Sequence, residues 1–172
     1  MPYLPAILHE VALPTPAGEF RAHFSVSGLV RLEFPDRRDH LSVEGTSSLP
    51  APFRAWAEAT EAALQAALAS QAGDETPALP PLDLAGATPF RHRVWAELRR
   101  IPRGVTRSYG EIADELGKRR AARAVGGACG ANPVPVLIPC HRVLAANGRL
   151  GGFSGGLDWK RRLLAIEGVL LT

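Results

Sequence analysis

At 172 residues the chain is long enough to bury a core as one compact domain or two small ones, so neither a metal nor a disulfide is needed to hold it together. No apolar run approaches the roughly twenty residues of a membrane span, and the opening MPYLPAILHEVALP places no charged segment ahead of an apolar one, so the expected compartment is the cytoplasm. The two cysteines, Cys129 and Cys140, sit in neither a CxxC pair nor a His/Cys cluster of zinc spacing; no metal and no cofactor is expected, and a disulfide would be out of place in a reducing compartment. The net charge of +3 conceals an asymmetry: residues 1–89 hold 5 Lys/Arg against 11 Asp/Glu, net −6, and residues 90–172 hold 15 against 6, net +9. A basic half of this size is the electrostatic footprint of a polyanion partner such as nucleic acid.

The acidic half begins with short alternating runs, Leu8–Leu13, Phe20–Val26 and Leu29–Phe34, separated by the turn signals TPAGE and SG, which predict β-hairpins. Over residues 51–70 the period changes. Phe53, Trp56, Ala57, Ala63, Leu64, Ala67 and Leu68 recur at helical spacing behind Pro52, a residue suited to a first helical turn, with Thr60 as the one polar member of the stripe. From about residue 72 to 88 the text AGDETPALPPLDLAGAT is rich in Pro, Gly and Ala and has no apolar period, which predicts a linker between a domain of residues 1–88 and one of 89–172.

The basic half opens with FRHRVWAELRRI, where Phe90, Val94, Trp95 and Leu98 share a helical face, stopped by Pro102 and Gly104. In TRSYGEIADELG, Ser108 and Glu111 form a capping box, and Ile112, Ala113 and Leu116 make the apolar stripe up to Gly117. A second short helix is predicted over about Arg119–Gly130, so the pair reads as a helix-turn-helix. That second helix, RRAARAVGGACG, is poor in helix formers, since each interior Gly costs about 1 kcal/mol relative to Ala. Two reasons for small residues stand open: close packing on a neighbouring helix, or close approach to DNA, whose minor groove is only about 6 Å wide. In the latter case Arg123 is the long side chain available to enter the base stack.

After Asn132 the run PVPVLIPC predicts a short apolar strand ending on Cys140. A thiol there is inert if buried and reactive only if something takes its proton. His141 is next in sequence, but strand neighbours point to opposite faces, so contact requires a turn or an intervening water; His9, His23, His40 and His92 are the more distant alternatives. The last helix, about Asp158–Ile166, places Trp159, Leu163 and Ile166 on one face and ends on Glu167, whose charge faces the negative end of the helix dipole at a cost of a few tenths of a kcal/mol to ~1 kcal/mol. A solvated position or a histidine partner both account for it.

Taken together, FRHRVWAELRRIPRGVTRSYGEIA, RAARAVGGACGANPVPVLIPCHRV and GRLGGFSGGLDWKRRLLAIEG make the chain resemble the O6-alkylguanine-DNA alkyltransferases, also called methylated-DNA-protein-cysteine methyltransferases. The resemblance is dense over residues 89–168 and loose over 1–88, where only TPAGEF and SGLVRLEF carry it. It implies an α/β protein, with an N-terminal ribonuclease-H-like small antiparallel sheet plus helix and a C-terminal, mostly helical winged helix-turn-helix domain. It also implies a single-use DNA repair reaction. Cys140 would accept the alkyl group, His141 would deprotonate it through a water, and Glu167 would orient His141. Tyr109 would donate to the departing guanine, and Asn132 would bridge the recognition helix and the cysteine segment. Arg123 would fill the gap left by the flipped base, with Ser108, Tyr109, Ala122, Ala124 and Gly126 completing the DNA-facing set. Val143, Phe153, Ser154, Gly155 and Trp95 would form the base pocket, Val143 offering its carbonyl to the exocyclic amine. The implied partner is double-stranded DNA containing O6-alkylguanine, with no membrane partner, bound by a monomer acting alone or cooperatively.

Three positions depart from the family pattern: Arg91 stands where many members have Gln, Phe153 where Tyr is frequent, and Cys129 where a larger residue is common. A non-enzymatic binder of damaged DNA lacks the acceptor cysteine that is present here, and a methyl-sensing regulator needs a cysteine cluster that is absent.

Overall fold

In the computed structural model, which describes residues 5–35, 45–69 and 77–170, the chain divides into two units, Met1–Gly86 and Ala87–Thr172. In the first, β1 (His9–Thr15), β2 (Gly18–Ser25) and β3 (Gly28–Glu33) form an antiparallel sheet in the order β1-β2-β3. The first ladder extends through the turn-flanking pair Thr15–Gly18, so the strands reach further into the TPAGE segment than the alternation alone predicts. There Thr15 Oγ1 accepts from the Ala17 N–H at 3.2 Å and donates to the Gly18 carbonyl at 2.6 Å.

The alternation delivers Val11, Leu13, Phe20, Ala22, Phe24, Leu29 and Leu32 to the core. Helix α1 (Ala51–Leu68) packs on all three strands and buries Ala57, Ala63, Leu64 and Leu68, with the Trp56 ring 6.4 Å from that of Phe24. Thr60, fully buried on the same face, is satisfied locally: its hydroxyl donates to the Trp56 carbonyl one turn back at 2.6 Å. The predicted linker lies outside the described residues over 72–76. Part of the remainder is no linker: Leu82 bridges Leu29, with the Leu29 N–H donating to Pro81 and the Asp83 N–H to Leu29, and Asp83 accepts from the buried Ser25 hydroxyl at 2.5 Å.

The second unit is mostly helical: α2 (Pro89–Leu98), α3 (Tyr109–Glu115), α4 (Ala122–Gly130) and α5 (Leu157–Ile166), with the two-residue strands β4 (Arg107–Ser108) and β5 (Val143–Leu144) paired in parallel. Both bonds of the capping box are present, the Glu111 N–H donating to Ser108 Oγ at 3.1 Å and the Ser108 N–H to Glu111 Oε2 at 2.6 Å. Helix α4 starts three residues later than expected, because residues 119–120 are a turn closed by the Ala121 N–H on the Lys118 carbonyl. α3 and α2 both pack on α4, and the buried Trp95 indole donates to the Ala128 carbonyl at 2.8 Å. Among the described residues no helix is long and apolar enough to cross a membrane.

Candidate functional site

The segment 133–139 is not the expected strand. Pro133, Pro135 and Pro139 remove three ladder donors, and Val136 takes φ 74°, a left-handed conformation costly for a β-branched residue. The segment folds instead as a turn around Asn132, itself 6% exposed. Asn132 Oδ1 accepts from the Val134 N–H at 3.0 Å, while its Nδ2 donates to the Ile138 carbonyl at 2.8 Å and to Cys140 Sγ at 3.1 Å. One side chain therefore ties the end of α4 to the thiol. Cys140 opens a 3-10 turn, Cys140–Arg142, and is 2% exposed. Burial pushes its thiol pKa up, opposed by the Asn132 amide and the Lys160 ammonium.

That 3-10 turn also sets the histidine. His141, 1% exposed, places Nε2 2.9 Å from Glu167 Oε1, while its Nδ1 is buried without a hydrogen-bond partner among the described residues. Glu167 is also gripped by Arg142, whose Nε and Nη2 donate at 3.0 and 2.8 Å, and by the Gly104 N–H at 3.2 Å. Glycine is favoured at Gly104: its φ of +74° strains any side chain, and a Cβ would stand a tight 3.1 Å from the Glu167 carbonyl. Burial disfavours the Glu167 charge, but hydrogen bonds and charge from His141 and Arg142 outweigh it and hold the carboxyl at about 2. The partner account of Glu167 is thus the one the fold realises. Of the alternative histidines, His9 stacks on Phe53, His23 is buried between Glu10 and Glu33, His92 is exposed, and His40 lies outside the described residues.

An open cavity of about 750 Å³ is lined by Ser108, Tyr109, Ala122, Arg123, Gly126, Phe153 and Ser154 among others, while Cys140, His141, Asn132 and Glu167 are not part of its lining. The β4–β5 pairing sets Ser108 beside Leu144, so the start of α3 is fixed relative to the Cys-His-Arg turn. The Tyr109 phenol pKa is pushed up by burial and then by the thiols Cys129 and Cys140, which keeps it protonated as a donor. Gly151 has φ +65° and lies so close to Tyr109 that a Cβ would meet the phenol oxygen at 2.8 Å. Part of the glycine requirement in the GGFSGG segment is therefore internal.

Three expected pocket residues do not line this cavity. Trp95 is in the α2–α4 core, held by its bond to Ala128. Val143 is fully buried, and its carbonyl already accepts from Lys160 Nζ at 2.6 Å. Gly155 is half-buried and is not part of the lining. Ala124, expected on the DNA-facing surface, is exposed on α4. Cys129 is buried on α4, and burial and then Cys140 push its thiol up to about 12, which makes it a helix-packing residue and a poor nucleophile.

Lys160 and Arg142 are the functional-looking residues that the sequence reading missed. Lys160 is fully buried, and its ammonium donates to the main-chain carbonyls of Val143, Leu150 and Gly152. The buried face of α5 is Lys160, Leu163, Leu164 and the Glu167 that follows; of the expected stripe Leu163 is buried, while Trp159 and Ile166 are only partly covered. The i, i+3, i+4, i+7 spacing of those four was the available signal. For Arg142 the only cue was a cation inside an otherwise apolar run.

The small residues of α4 have a partial answer. Among the described residues a Cβ at Gly127 or Gly130 would have nothing within 4 Å, and one at Gly126 only the Tyr109 ring at an ordinary 3.8 Å. Packing within the protein therefore does not require glycine at these three positions, although it does bury Val125, Ala128 and Cys129.

Residues 89–169 match the family model described as the DNA-binding domain of 6-O-methylguanine DNA methyltransferase. The methylated-DNA–protein-cysteine methyltransferases of Mycolicibacterium paratuberculosis and Salmonella typhimurium are 57% and 52% identical over 86 residues, half of this chain in each case. The chain matches 52% and 50% of those two proteins, about half the length of the curated relatives. Over the whole fold it is similar to the Mycobacterium tuberculosis OGT crystallised with DNA, at 36% identity and a TM-score of 0.72, covering 93% of this chain and 92% of that one. The O6-methylguanine-DNA methyltransferase of Pyrococcus kodakaraensis superposes with a TM-score of 0.69 at 26% identity, over 93% of this chain and 99% of that one.

Proposed function

Because the chain belongs to the 6-O-methylguanine DNA methyltransferase family, we propose that it repairs O6-alkylguanine in double-stranded DNA by moving the alkyl group irreversibly to Cys140. Residues 89–172 form the DNA-binding and alkyl-acceptor domain in this reading, residues 1–88 the N-terminal sheet domain, and the protein acts in the cytoplasm as a monomer without cofactor.

The observation that carries the reading is the buried thiol held by Asn132 next to a histidine whose Nε2 is engaged by Glu167 and whose Nδ1 has no hydrogen-bond partner among the described residues. With Nε2 donating its hydrogen to the carboxylate, Nδ1 is the basic nitrogen. A water between Nδ1 and Cys140 Sγ takes the thiol proton to the imidazole. The thiolate attacks the alkyl carbon, a C–S bond forms, the C–O6 bond breaks, and the electron pair leaves on the guanine oxygen. Tyr109, kept protonated by its surroundings, donates to the guanine ring as that charge develops. The thioether has no easy leaving group, so each chain reacts once.

The target carbon is inaccessible in a stacked duplex, so the nucleotide is extruded at a cost of a few kcal/mol. Arg123, exposed on α4 beside the cavity, fills the gap, and Gly127 and Gly130 let the helix backbone approach the DNA. Phe153 and Ser154 wall the space that takes the flipped base.

Incubating the protein with a duplex containing O6-methylguanine is expected to add the mass of one methyl group to the peptide bearing Cys140. Cys140→Ala abolishes the addition while retaining DNA binding. A wild-type protein that binds the duplex yet gains no mass sinks the transfer reading.

A further inference from the structure

Glu167 serves two partners at once, the Arg142 cation and the His141 ring, and the division is uneven. Its Oε1 accepts from His141 Nε2 at 2.9 Å and from Arg142 Nη2 at 2.8 Å, with Arg142 Nε at 3.2 Å; its Oε2 accepts from Arg142 Nε at 3.0 Å and from the Gly104 N–H at 3.2 Å. Arg142 therefore grips both oxygens with its planar fork, while His141 reaches one. The guanidinium is pinned on its other side by Nη1, which donates to the Ile101 carbonyl at 2.6 Å. The carboxylate side chain is 3% exposed and the arginine side chain 15%, so solvent screens the pair weakly. Arginine is always charged, so the negative charge of Glu167 is already balanced before a proton reaches His141.

We propose that Arg142 is a positioning residue that divides the charge of Glu167. It holds the carboxylate as an acceptor for the Nε2 hydrogen of His141, which fixes the tautomer and leaves Nδ1 as the base, while withholding the full counter-charge that would keep the imidazole protonated. This rests on the reading of His141 as the base for Cys140. A carboxylate facing histidine alone raises its proton affinity and traps it as a cation at the pH where a base is needed. The same carboxylate shared with a guanidinium orients the ring without trapping it.

The charged groups acting on His141 are Lys160 from α5, Glu167 at the C-terminal cap of α5 and Arg142 from its own turn; α2, also packed on this turn, contributes none among the described residues. Their balance agrees with the geometry: burial drives the His141 pKa down, Glu167 pushes it up, and Arg142 and Lys160 push it down again, with a net lowering.

The test is a pair of measurements on the full chain without DNA and with it. Without DNA, the imidazole resonances of His141 are followed by NMR against pH. The wild-type ring is expected to titrate below the ordinary histidine value of 6.5, and Arg142→Met to raise the midpoint by about one pH unit or more, the size of effect a single close charge produces. With an O6-methylguanine duplex, the acid limb of the transfer rate in R142M moves to higher pH by the same amount. Arg142→Lys keeps the charge and loses the fork, so it leaves the limb near its wild-type pH and lowers the plateau rate. Identical His141 midpoints in wild type and R142M overturn the proposal. If R142M does not fold, a wild-type midpoint at or above 6.5 overturns it equally. Absence of methyl transfer by wild type would sink the proposed reaction and leave the NMR result standing.

Discussion

The two units solve the burial problem differently. In the first, α1 and the sheet bury Phe20, Phe24, Leu29, Leu64 and other apolar side chains, and the polar exceptions are few: Thr60 bonds its own helix, Ser25 bonds Asp83, and His23 lies between two glutamates. In the second, the interior is built around ionic and polar side chains, with Lys160 on three carbonyls, Asn132 strapping a turn, and His141, Arg142 and Glu167 in one cluster. A hydrophobic core is cheap and tolerant of detail, whereas a buried polar network stabilises only when each partner is present. The chain places that demanding kind of interior around Cys140.

The sharpest break in this contrast is Glu167→Gln. It leaves the Arg142 guanidinium without its counter-charge, and truncating one member of a buried ion pair costs about 3–5 kcal/mol, measured by chemical denaturation at neutral pH. The wild-type carboxyl is held at about 2 against an ordinary 4.5. A depressed carboxylate contributes stability that is present above its unfolded value and lost as pH falls through the folded one. Wild type should therefore lose stability between about pH 4.5 and 2, and E167Q should lack that part of the slope. An unchanged acid profile would show that the cluster is not what acid attacks.

Leu64→Ala is the counterpart in the other unit. It opens a cavity under α1 and should cost about 2–5 kcal/mol, with a loss that does not change between pH 7 and 5, because no charge is involved. A loss that varied with pH would mean the apolar core depends on nearby titrating groups. The smallest effect is at Gly127, where a Cβ has nothing within 4 Å among the described residues. Gly127→Ala should raise stability by up to about 1 kcal/mol, seen as a higher Tm, and yet weaken binding to the O6-alkylguanine duplex. Equal or tighter binding would remove α4 from the DNA-facing surface.

Much of the fold was legible from local patterns. The hairpins, the helix 51–68, the capping box at Ser108 and the stop at Gly117 depend on residues within a few positions of one another, and they appear with ends shifted by one to three residues. The segment before Cys140 has an apolar run of the length of a strand, yet three prolines and the Asn132 side chain impose a turn. Trp95 and Val143 were placed in the pocket by resemblance; the fold commits the first to the α2–α4 core and the carbonyl of the second to Lys160.

What the sequence by itself determined is the hairpins, the main helices and the acidic and basic halves, because periodicity, capping and charge are written in adjacent residues. Tertiary structure alone decided the electrostatics of the site. Glu167 is 25 residues from Arg142 and 63 from Gly104 along the chain, and Lys160 meets the carbonyls of residues 8 to 17 positions away. Whether a buried charge is balanced depends on such distances in space, which residue order does not encode locally.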